Sequence, residues 1–173
     1  NKEKIDFYFE EPVFDGQYSN ECYQKRISEA LTHFKSQEKI DFLKDWQHMI
    51  FHLPYAFQGR RMMLDIWLEW IQDEDIYLDL EKEIGKSGSV DYKDWRKAAS
   101  KSTLYKNFVE NKIKDGEMAS SFIGNMYTAS IFMSLISLLY SAHDKKRNIS
   151  EDNIGFLSYG SGSKSKILQG KIN

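Results

Sequence analysis

The sequence feature that most constrains the fold is a short apolar run, Met-Ile-Phe at 49–51, which Pro54 stops soon afterwards. Consecutive apolar residues leave no polar face, so the run predicts a strand buried on both sides rather than an amphipathic helix. Apolar residues then return at helical spacing from Phe57 to Ile71. The order strand, turn, helix is typical of α/β folds, in which ligands bind beyond the carboxyl ends of the strands. His52, directly after the run, is predicted to face such a crevice.

Three other segments have helical character. Residues 19–35 carry one apolar stripe and begin with Ser or Asn, residue types that cap helices. Residues 91–110 predict a second helix of the same kind, after a break at 85–88. Residues 126–140 are apolar on nearly all sides, which predicts a helix enclosed by other elements.

The chain ends in a predicted hairpin. Residues 154–159 and 165–172 are two extended runs, and the intervening Gly160, Ser161 and Gly162 supply the backbone freedom that a tight turn needs. With only two prolines, no repeat and no low-complexity segment, nothing marks a linker. Residues 1–173 are therefore predicted to form one α/β domain.

Composition excludes several classes of function. Lys plus Arg number 24 and Asp plus Glu number 26, so the net charge of −2 attracts neither nucleic acid nor an anionic membrane. The longest apolar stretch, 129–142, is too short to span a bilayer, and the amino end lacks the pattern of a signal peptide, which favours a cytoplasmic protein. One cysteine permits no internal disulfide or cysteine zinc site, and the four histidines lack metal-ligand spacing. Metal catalysis is disfavoured.

Three positions could carry chemistry, each with a structural alternative. Two interpretations of His52 are equally favoured: a structural histidine whose ring nitrogens are hydrogen-bonded, or a group that donates or accepts a proton near neutral pH. Asn125 is a helix cap or an amide aimed at a substrate carbonyl. The segment Ser-Tyr-Gly-Ser-Gly at 158–162 is a hairpin turn or a glycine-rich floor that lets a thioester approach closely. His33, His48 and His143 favour structural or solvated roles.

The remaining candidates are weaker. Cys22, the only thiol, lies inside a helical stretch without a basic cluster, so a structural role is favoured over a nucleophilic one. Arg60 and Arg61 begin the helix after His52 and either bind phosphate or form a solvated face. Lys164 and Lys166 beyond the final turn have the same two readings.

Five segments, in order and well spaced, resemble the hydroxymethylglutaryl-coenzyme A synthase family over nearly all of the chain. They are Asp-Phe-Tyr at 6–8, Phe-Asp-Gly-Gln-Tyr-Ser with Cys-Tyr within 14–23, Ile-Phe-His-Leu-Pro-Tyr at 50–55, Gly-Asn-Met-Tyr-Thr at 124–128 and Gly-Phe-Leu-Ser-Tyr-Gly-Ser-Gly at 155–162. The resemblance implies the C-terminal half of a thiolase-like layered fold, with a mixed sheet covered by helices. It also implies condensation of acetyl-coenzyme A with acetoacetyl-coenzyme A through an acetylated cysteine, with no further cofactor.

The resemblance assigns roles by position. His52 matches the histidine that engages the acetoacetyl thioester, Asn125 the asparagine beside it, and Asp6 an active-site acid. Substrate-binding positions are matched by Phe7, Tyr127, Ser158, Gly160 and Ser161, and coenzyme-binding positions by Arg61 and its neighbour Arg60.

Two departures from the family pattern leave alternatives open. The family's nucleophilic cysteine and general-base glutamate belong to an N-terminal half upstream of residue 1, so this chain alone is expected to be inactive and to need that half as partner. Phe57 stands where many members have a lysine that binds the coenzyme's phosphates. A β-branching synthase acting on acyl-carrier-protein-bound ketides, or a non-catalytic binding or assembly module, are the alternatives. Homodimerisation is expected by resemblance.

Overall fold

The computed structural model describes residues 15–160 and 162–173, so the predicted site residues Asp6, Phe7 and Ser161 lie outside the described residues. Within those ranges the chain is mostly helical. The α-helices are α1 (Gly16–Gln37), α2 (Phe42–Asp45), α3 (Gln58–Ile71), α4 (Asp75–Ile84), α5 (Tyr92–Ala99), α6 (Thr103–Lys112), α7 (Met118–Ile123) and α8 (Ser130–Asp144). Two 3-10 helices, Lys114–Glu117 and Tyr127–Ala129, precede α7 and α8.

The described strands form one mixed sheet in the order β1 (His48–Phe51), β2 (Asn153–Gly160), β3 (Lys164–Lys171). β1 runs parallel to β2, with Ile50 opposite Phe156, and β2 runs antiparallel to β3. The predicted hairpin is therefore confirmed. Parallel neighbouring strands need a long crossover connection. Here helices α3 to α8 all lie in that connection, between β1 and β2 in the sequence.

The strand predicted at 49–51 is buried on both faces, as its composition indicates. Met49 and Phe51 belong to the larger core cluster, which α1, α2, α3 and α6 supply with aromatic and aliphatic side chains. Ile50 points to the other face, where it packs with Leu138 of α8 and Ile154 of β2. The sheet thus separates α1 from α8, and residues after β1 can reach either side.

Helices α1 and α3 confirm the predictions for residues 19–35 and for the segment after Pro54. α1 begins earlier than expected because Asp15, rather than Ser19 or Asn20, caps it by accepting a hydrogen bond from the Tyr18 amide at 2.9 Å. Its buried residues are Tyr23, Ile27 and Leu31.

The single helix predicted over 91–110 is wrong, because the structure has two helices, α5 and α6, in this segment. Ser102 separates them. Its hydroxyl donates to the Ala99 carbonyl at 2.8 Å and accepts from the Tyr105 amide at 3.1 Å, so one side chain ends α5 and caps α6. These side-chain hydrogen bonds to the backbone take the place of the bonds that a continuous helix would make at this point.

The prediction that 126–140 is a helix enclosed on all sides is also wrong. α8 begins at Ser130, and its buried face is formed largely by small residues, four of them serines. Its outer face is apolar and exposed within the described chain: Phe132 is 63%, Ile136 54% and Tyr140 58% accessible. Hydropathy alone could not show this, because a helix apolar all round does not reveal which face its own domain covers.

Trp46 joins β2 and β3 at the start of the sheet by packing and by one hydrogen bond. Its side chain is completely buried, and its indole N–H donates to the Gln169 side-chain oxygen of β3 at 2.8 Å. The indole lies flat against Gly155 of β2, where an added Cβ would stand only 2.2 Å from a ring carbon. Glycine is required there for close approach and not for an unusual backbone angle.

Two features are absent from residues 15–160 and 162–173. None of these helices has the length and apolar character to cross a membrane. No cluster of His, Cys, Asp or Glu in the same residues has the geometry to hold a metal ion.

Candidate functional site

A cleft of about 890 Å³ opens on the α8 side of the sheet, where the end of β1, the start of α8 and the β2–β3 hairpin meet. Four of the predicted site residues line it: His52, Tyr127, Ser158 and Gly160. They come from three distant parts of the sequence. Further lining residues include Ser19, Pro54, Thr128, Ile131, Phe132, Phe156, Lys164, Lys166 and Leu168.

One wall of the cleft is a ladder of cross-strand pairs. Phe156 pairs with Leu168, Ser158 with Lys166, and Gly160 with Lys164. Residues two apart on a strand share a face, and opposite partners share it too, so the five side chains of these pairs lie on the same side of the hairpin, where Gly160 has none. The wall therefore grades from apolar near the core to cationic at the turn.

His52 follows β1 and is half-buried at the bottom of the cleft. Its ring meets the Tyr23 ring edge-on, with centroids 6.5 Å apart. Burial lowers the pKa of His52 below its ordinary value, and a hydrogen bond to the Tyr127 backbone partly opposes that shift. The imidazole is therefore neutral at neutral pH, the form that has one donor and one acceptor nitrogen.

Asn125 does not line the cleft. Its side chain is exposed, and its carboxamide oxygen accepts a hydrogen bond from the Tyr127 amide at 2.9 Å. This turn holds Tyr127 at φ +48°, a left-handed conformation that is costly for a residue with a side chain. Strain of this kind persists only where surrounding contacts enforce it. Asn125 and His52 thus bind the backbone of the same residue, while the amide nitrogen of Asn125 has no hydrogen bond among the described residues.

The two arginines predicted to bind coenzyme lie at the start of α3 and line a second pocket of about 470 Å³, beside Tyr55. Arg60 is occupied: its Nε donates to Glu117 at 3.0 Å, and a second bond joins the same groups. Burial raises the pKa of the Glu117 carboxyl, and the Arg60 guanidinium opposes that rise. Arg61 is exposed, with its guanidinium 5.6 Å above the Tyr55 ring centroid. The two pockets adjoin the same loop, since Pro54 lines the first and Tyr55 the second.

Sequence reasoning left Lys164 and Lys166 undecided, yet both line the His52 cleft. The pairing of the hairpin contained the signal, because each lysine lies opposite a residue of the Ser-Tyr-Gly segment. Cys22 is partly buried on α1 and does not line the cleft. His48 is not a candidate either, since its imidazole pairs with Asp152 at 2.9 Å at the far end of β1.

Comparisons with known proteins identify the family to which the chain belongs. A family model described as hydroxymethylglutaryl-coenzyme A synthase C terminal matches residues 3–173. The mitochondrial hydroxymethylglutaryl-CoA synthase of Bos taurus is 31% identical over 188 residues, covering 98% of this chain and 36% of the bovine protein. The chain therefore spans about a third of the length of the curated relatives that it matches.

Solved structures show the same fold. A structure titled MvaS in complex with 3-hydroxy-3-methylglutaryl coenzyme A has a TM-score of 0.65 at 23% identity, covering 95% of this chain and 37% of that one. The HMG synthase of the curacin biosynthetic pathway has a TM-score of 0.70 at 17% identity, covering 96% and 34%. These likenesses confirm the predicted fold class, a mixed sheet covered by helices. By the extent of the family match, the chain belongs to the hydroxymethylglutaryl-coenzyme A synthase family, as part of its C-terminal region.

Proposed function

We propose that the chain is the C-terminal half of an acyltransferase that condenses acetyl-coenzyme A with acetoacetyl-coenzyme A to give hydroxymethylglutaryl-coenzyme A. One observation carries the proposal: in a chain of this family, His52, Tyr127 and Ser158 come together around one cleft with an apolar inner wall and a cationic rim. Such a cleft suits a short acyl chain joined to an anionic carrier.

His52 acts on the acetoacetyl group in this proposal. When the acetyl carbanion attacks the ketone, negative charge develops on the ketone oxygen, and a donor fixed in advance at that place lowers the barrier. The half-buried imidazole can supply that donor once its single N–H, which binds the Tyr127 backbone in the absence of substrate, turns to the ketone or thioester oxygen. Asn125 does not line the cleft but lies two residues before Tyr127, which does; we propose that its carboxamide nitrogen reaches the bound acyl chain as a second donor, since its oxygen is already committed to the Tyr127 amide. Tyr127, Ser158 and Gly160 line the acyl pocket.

The nucleophilic cysteine and the general base come, in this proposal, from an N-terminal half. Two observations support that partner. About two thirds of each matched relative lies outside the aligned region, and α8 exposes an apolar face formed by Phe132, Ile136, Leu139 and Tyr140. A contiguous face of this kind marks an interaction surface rather than a solvated one. The chain's own N-terminal half is the occupant that we assign to it. Homodimerisation of the whole enzyme and a cytoplasmic location stay predictions.

The charged coenzyme is bound, we propose, by three cations on the rim of the two pockets. Arg61 is exposed beside Tyr55, and Lys164 and Lys166 lie on the hairpin wall. Guanidinium binds phosphate with two parallel hydrogen bonds, whereas ammonium acts as a point charge. Arg60 contributes less, because Glu117 already occupies its guanidinium.

A β-branching synthase acting on carrier-protein-bound ketides is the second candidate. Phe57 favours it, because this exposed phenyl ring, 4.8 Å from the Arg60 guanidinium, stands where the resemblance implies a phosphate-binding lysine. The curacin-pathway synthase, which shares the fold, has been solved in complex with a donor carrier protein. The third candidate, a non-catalytic binding or assembly module, requires that no condensation occurs even with the N-terminal half present.

The test uses the enzyme assembled from this chain and its N-terminal half. Formation of hydroxymethylglutaryl thioester is measured with acetoacetyl-coenzyme A and with acetoacetyl-carrier protein in competition, for the wild type and for His52→Ala. Condensation of the coenzyme-bound substrate that His52→Ala abolishes supports the proposal. Preference for the carrier-bound substrate favours the β-branching alternative. The matched control is His33→Ala, which replaces an exposed histidine on α1. Normal condensation by His52→Ala would overturn the assigned role.

A further inference from the structure

The backbone around His52 is held by side-chain hydroxyls. Its own amide makes a sheet bond, donating to the Leu157 carbonyl at 3.0 Å. Beyond that point the chain leaves the sheet, and its carbonyls need other partners. The Phe51 carbonyl accepts from Ser134 Oγ at 3.0 Å, and the His52 carbonyl accepts from the Tyr23 hydroxyl.

The residue after His52 is bound twice. The Leu53 amide donates to Ser130 Oγ at 2.7 Å, and the same hydroxyl donates to the Leu53 carbonyl at 3.1 Å. Tyr23, Ser130 and Ser134, which we term the hydroxyl clamp, therefore bind three consecutive residues centred on His52. The clamp reaches the loop from both sides, because Tyr23 belongs to α1 and the two serines to α8.

The clamp hydroxyls are deeply buried, since each of the three residues is at most 2% exposed. Serine is a weaker helix former than alanine, and a buried hydroxyl has to find partners to offset its lost hydration. At the buried positions Ser130 and Ser134 of α8, the small side chain is therefore a serine that hydrogen-bonds to the backbone, and not an alanine that would only fill space. Both of these serines bind residues that adjoin His52, and neither donates to its own helix.

We propose that Tyr23, Ser130 and Ser134 are positioning residues, whose hydroxyls fix the backbone of His52 so that its imidazole meets the acetoacetyl group in one orientation. The inference rests on the proposed function. It follows from geometry: with the carbonyls on either side of the Cα bound, the His52 side chain can move only by rotation about its own bonds. A displacement of about 1 Å in a reacting group costs on the order of a hundredfold in rate.

Tyr23→Phe is the first test variant. It removes only the hydroxyl and keeps the ring that packs 4.6 Å from Tyr159. Ser134→Ala is the second, and it removes one hydrogen bond. In the enzyme assembled with its N-terminal half, both variants are expected to lower kcat for condensation by about tenfold or more while the rate of cysteine acetylation changes less than about twofold. Acetylation does not use His52 in the proposed route, so this split separates positioning from general loss of structure.

Ser137→Ala is the matched control. Ser137 belongs to the same buried stripe of α8, but its hydroxyl binds the Ala119 amide and the Met133 carbonyl, away from His52. It should lower stability as Ser134→Ala does and leave the ratio of condensation to acetylation unchanged. Equal ratios in all three variants, or parallel loss of both half-reactions, would overturn the inference.

A spectroscopic measurement keeps the two proposals distinguishable. The imidazole resonances of His52 are recorded by ¹H–¹⁵N NMR in the assembled protein, without substrate. Tyr23→Phe and Ser134→Ala are expected to shift or broaden them, and Ser137→Ala is not. If the wild type does not condense, the proposed function fails, and the NMR result alone decides the clamp: unchanged His52 resonances in both clamp variants would refute it.

Discussion

The carboxamide oxygen of Asn125 accepts a hydrogen bond from the Tyr127 amide at 2.9 Å, and that bond fixes which end of the amide is available to a ligand. With the oxygen occupied, the nitrogen is the end left to donate. The predicted helix cap is wrong, because α8 and the 3-10 helix before it have no side-chain cap; the bond of Asn125 forms a turn instead. This turn and a substrate-binding role are compatible, because they use different atoms of one side chain.

Asn125→Asp separates these two roles. The carboxylate keeps the acceptor for the Tyr127 amide, so we expect the thermal midpoint to change little. It removes the donor and adds negative charge, so condensation should fall on the order of 10²- to 10³-fold. Asn148→Asp is the matched control, because Asn148 makes the same turn with the Ser150 amide at 3.0 Å on a distant loop. Full activity in Asn125→Asp would limit Asn125 to the turn.

The pKa of His52 gives a pH dependence with a defined sign. Burial lowers it; the other described cleft residues with titratable side chains are Tyr127, Tyr159, Lys164 and Lys166, and Tyr23 packs against the His52 ring. The folded state therefore binds the proton more weakly than the unfolded state. With respect to His52, the protein therefore keeps its full free energy of unfolding above the unfolded pKa of about 6.5. That free energy falls as the pH is lowered below this value.

We expect NMR titration to give His52 a pKa below about 6.5. The free energy of unfolding of the wild type should also fall, relative to His52→Gln, as the pH is lowered from about 7 to about 5. Both proteins retain the His48–Asp152 pair, so the contribution of that pair to stability cancels in the comparison. A wild type that gained stability relative to His52→Gln over this interval would contradict the assigned environment.

Gly155→Ala tests the contact between Trp46 and β2. The added methyl would overlap the indole, and neither the buried ring nor the paired strand can move away freely, so we expect destabilisation of about 3 kcal/mol or more. Denaturant unfolding measures it. Gly160→Ala is the control, because an added Cβ on that residue of the same strand meets no atom within 4 Å. Equal stability of the two variants would contradict the packing described.

The two predicted coenzyme-binding arginines should behave differently. Arg60→Ala leaves the Glu117 carboxylate buried without its partner, which costs up to about 3 kcal/mol of stability. Arg61→Ala removes an exposed cation and should raise KM for coenzyme A thioesters several-fold, with unfolding unchanged within about 0.5 kcal/mol. Steady-state kinetics and urea unfolding of both variants check this. An unchanged KM in Arg61→Ala would move coenzyme binding to the hairpin lysines.

The outer face of α8 should bind the N-terminal half. Ile136→Glu is expected to weaken association by on the order of a hundredfold, measured by titration of the two separately expressed halves, because a charge replaces a desolvated apolar contact. Leu78→Glu is the control, since Leu78 is 57% exposed, like Ile136, but lies on α4. Equal affinity of both variants would place the interface elsewhere.

Local patterns predicted much of the fold. The buried strand at 49–51, the helices on either side of it and the final hairpin follow from apolar spacing, Pro54 and a glycine turn. Helix α4 was not predicted, although Ile76, Leu80 and Ile84 recur every four residues and carried the signal. The split at Ser102 was missed because capping competes with a continuous helix only when the surrounding packing permits it.

The site was harder to predict than the fold. His52 could be placed at a strand end from sequence, and the hairpin register would have placed Lys164 and Lys166 beside Ser158. Which atom of Asn125 is occupied depends on the φ angle of Tyr127, a non-local outcome. The pairing of Arg60 with Glu117 joins residues 57 positions apart, and no periodic pattern encodes it.

The parallel pairing of β1 with β2 sets the order in which the site can be built. Asn153 of β2 donates to the Gln47 side chain, 106 residues earlier. During synthesis the histidine emerges from the ribosome long before its opposite wall. Until the hairpin arrives, the edge of β1 has no neighbouring strand within the described chain, and such slow, non-local closure exposes nascent polypeptide to wrong pairings. Shortening the interval between the two strands by circular permutation should speed maturation of the cleft without altering a single residue that lines it.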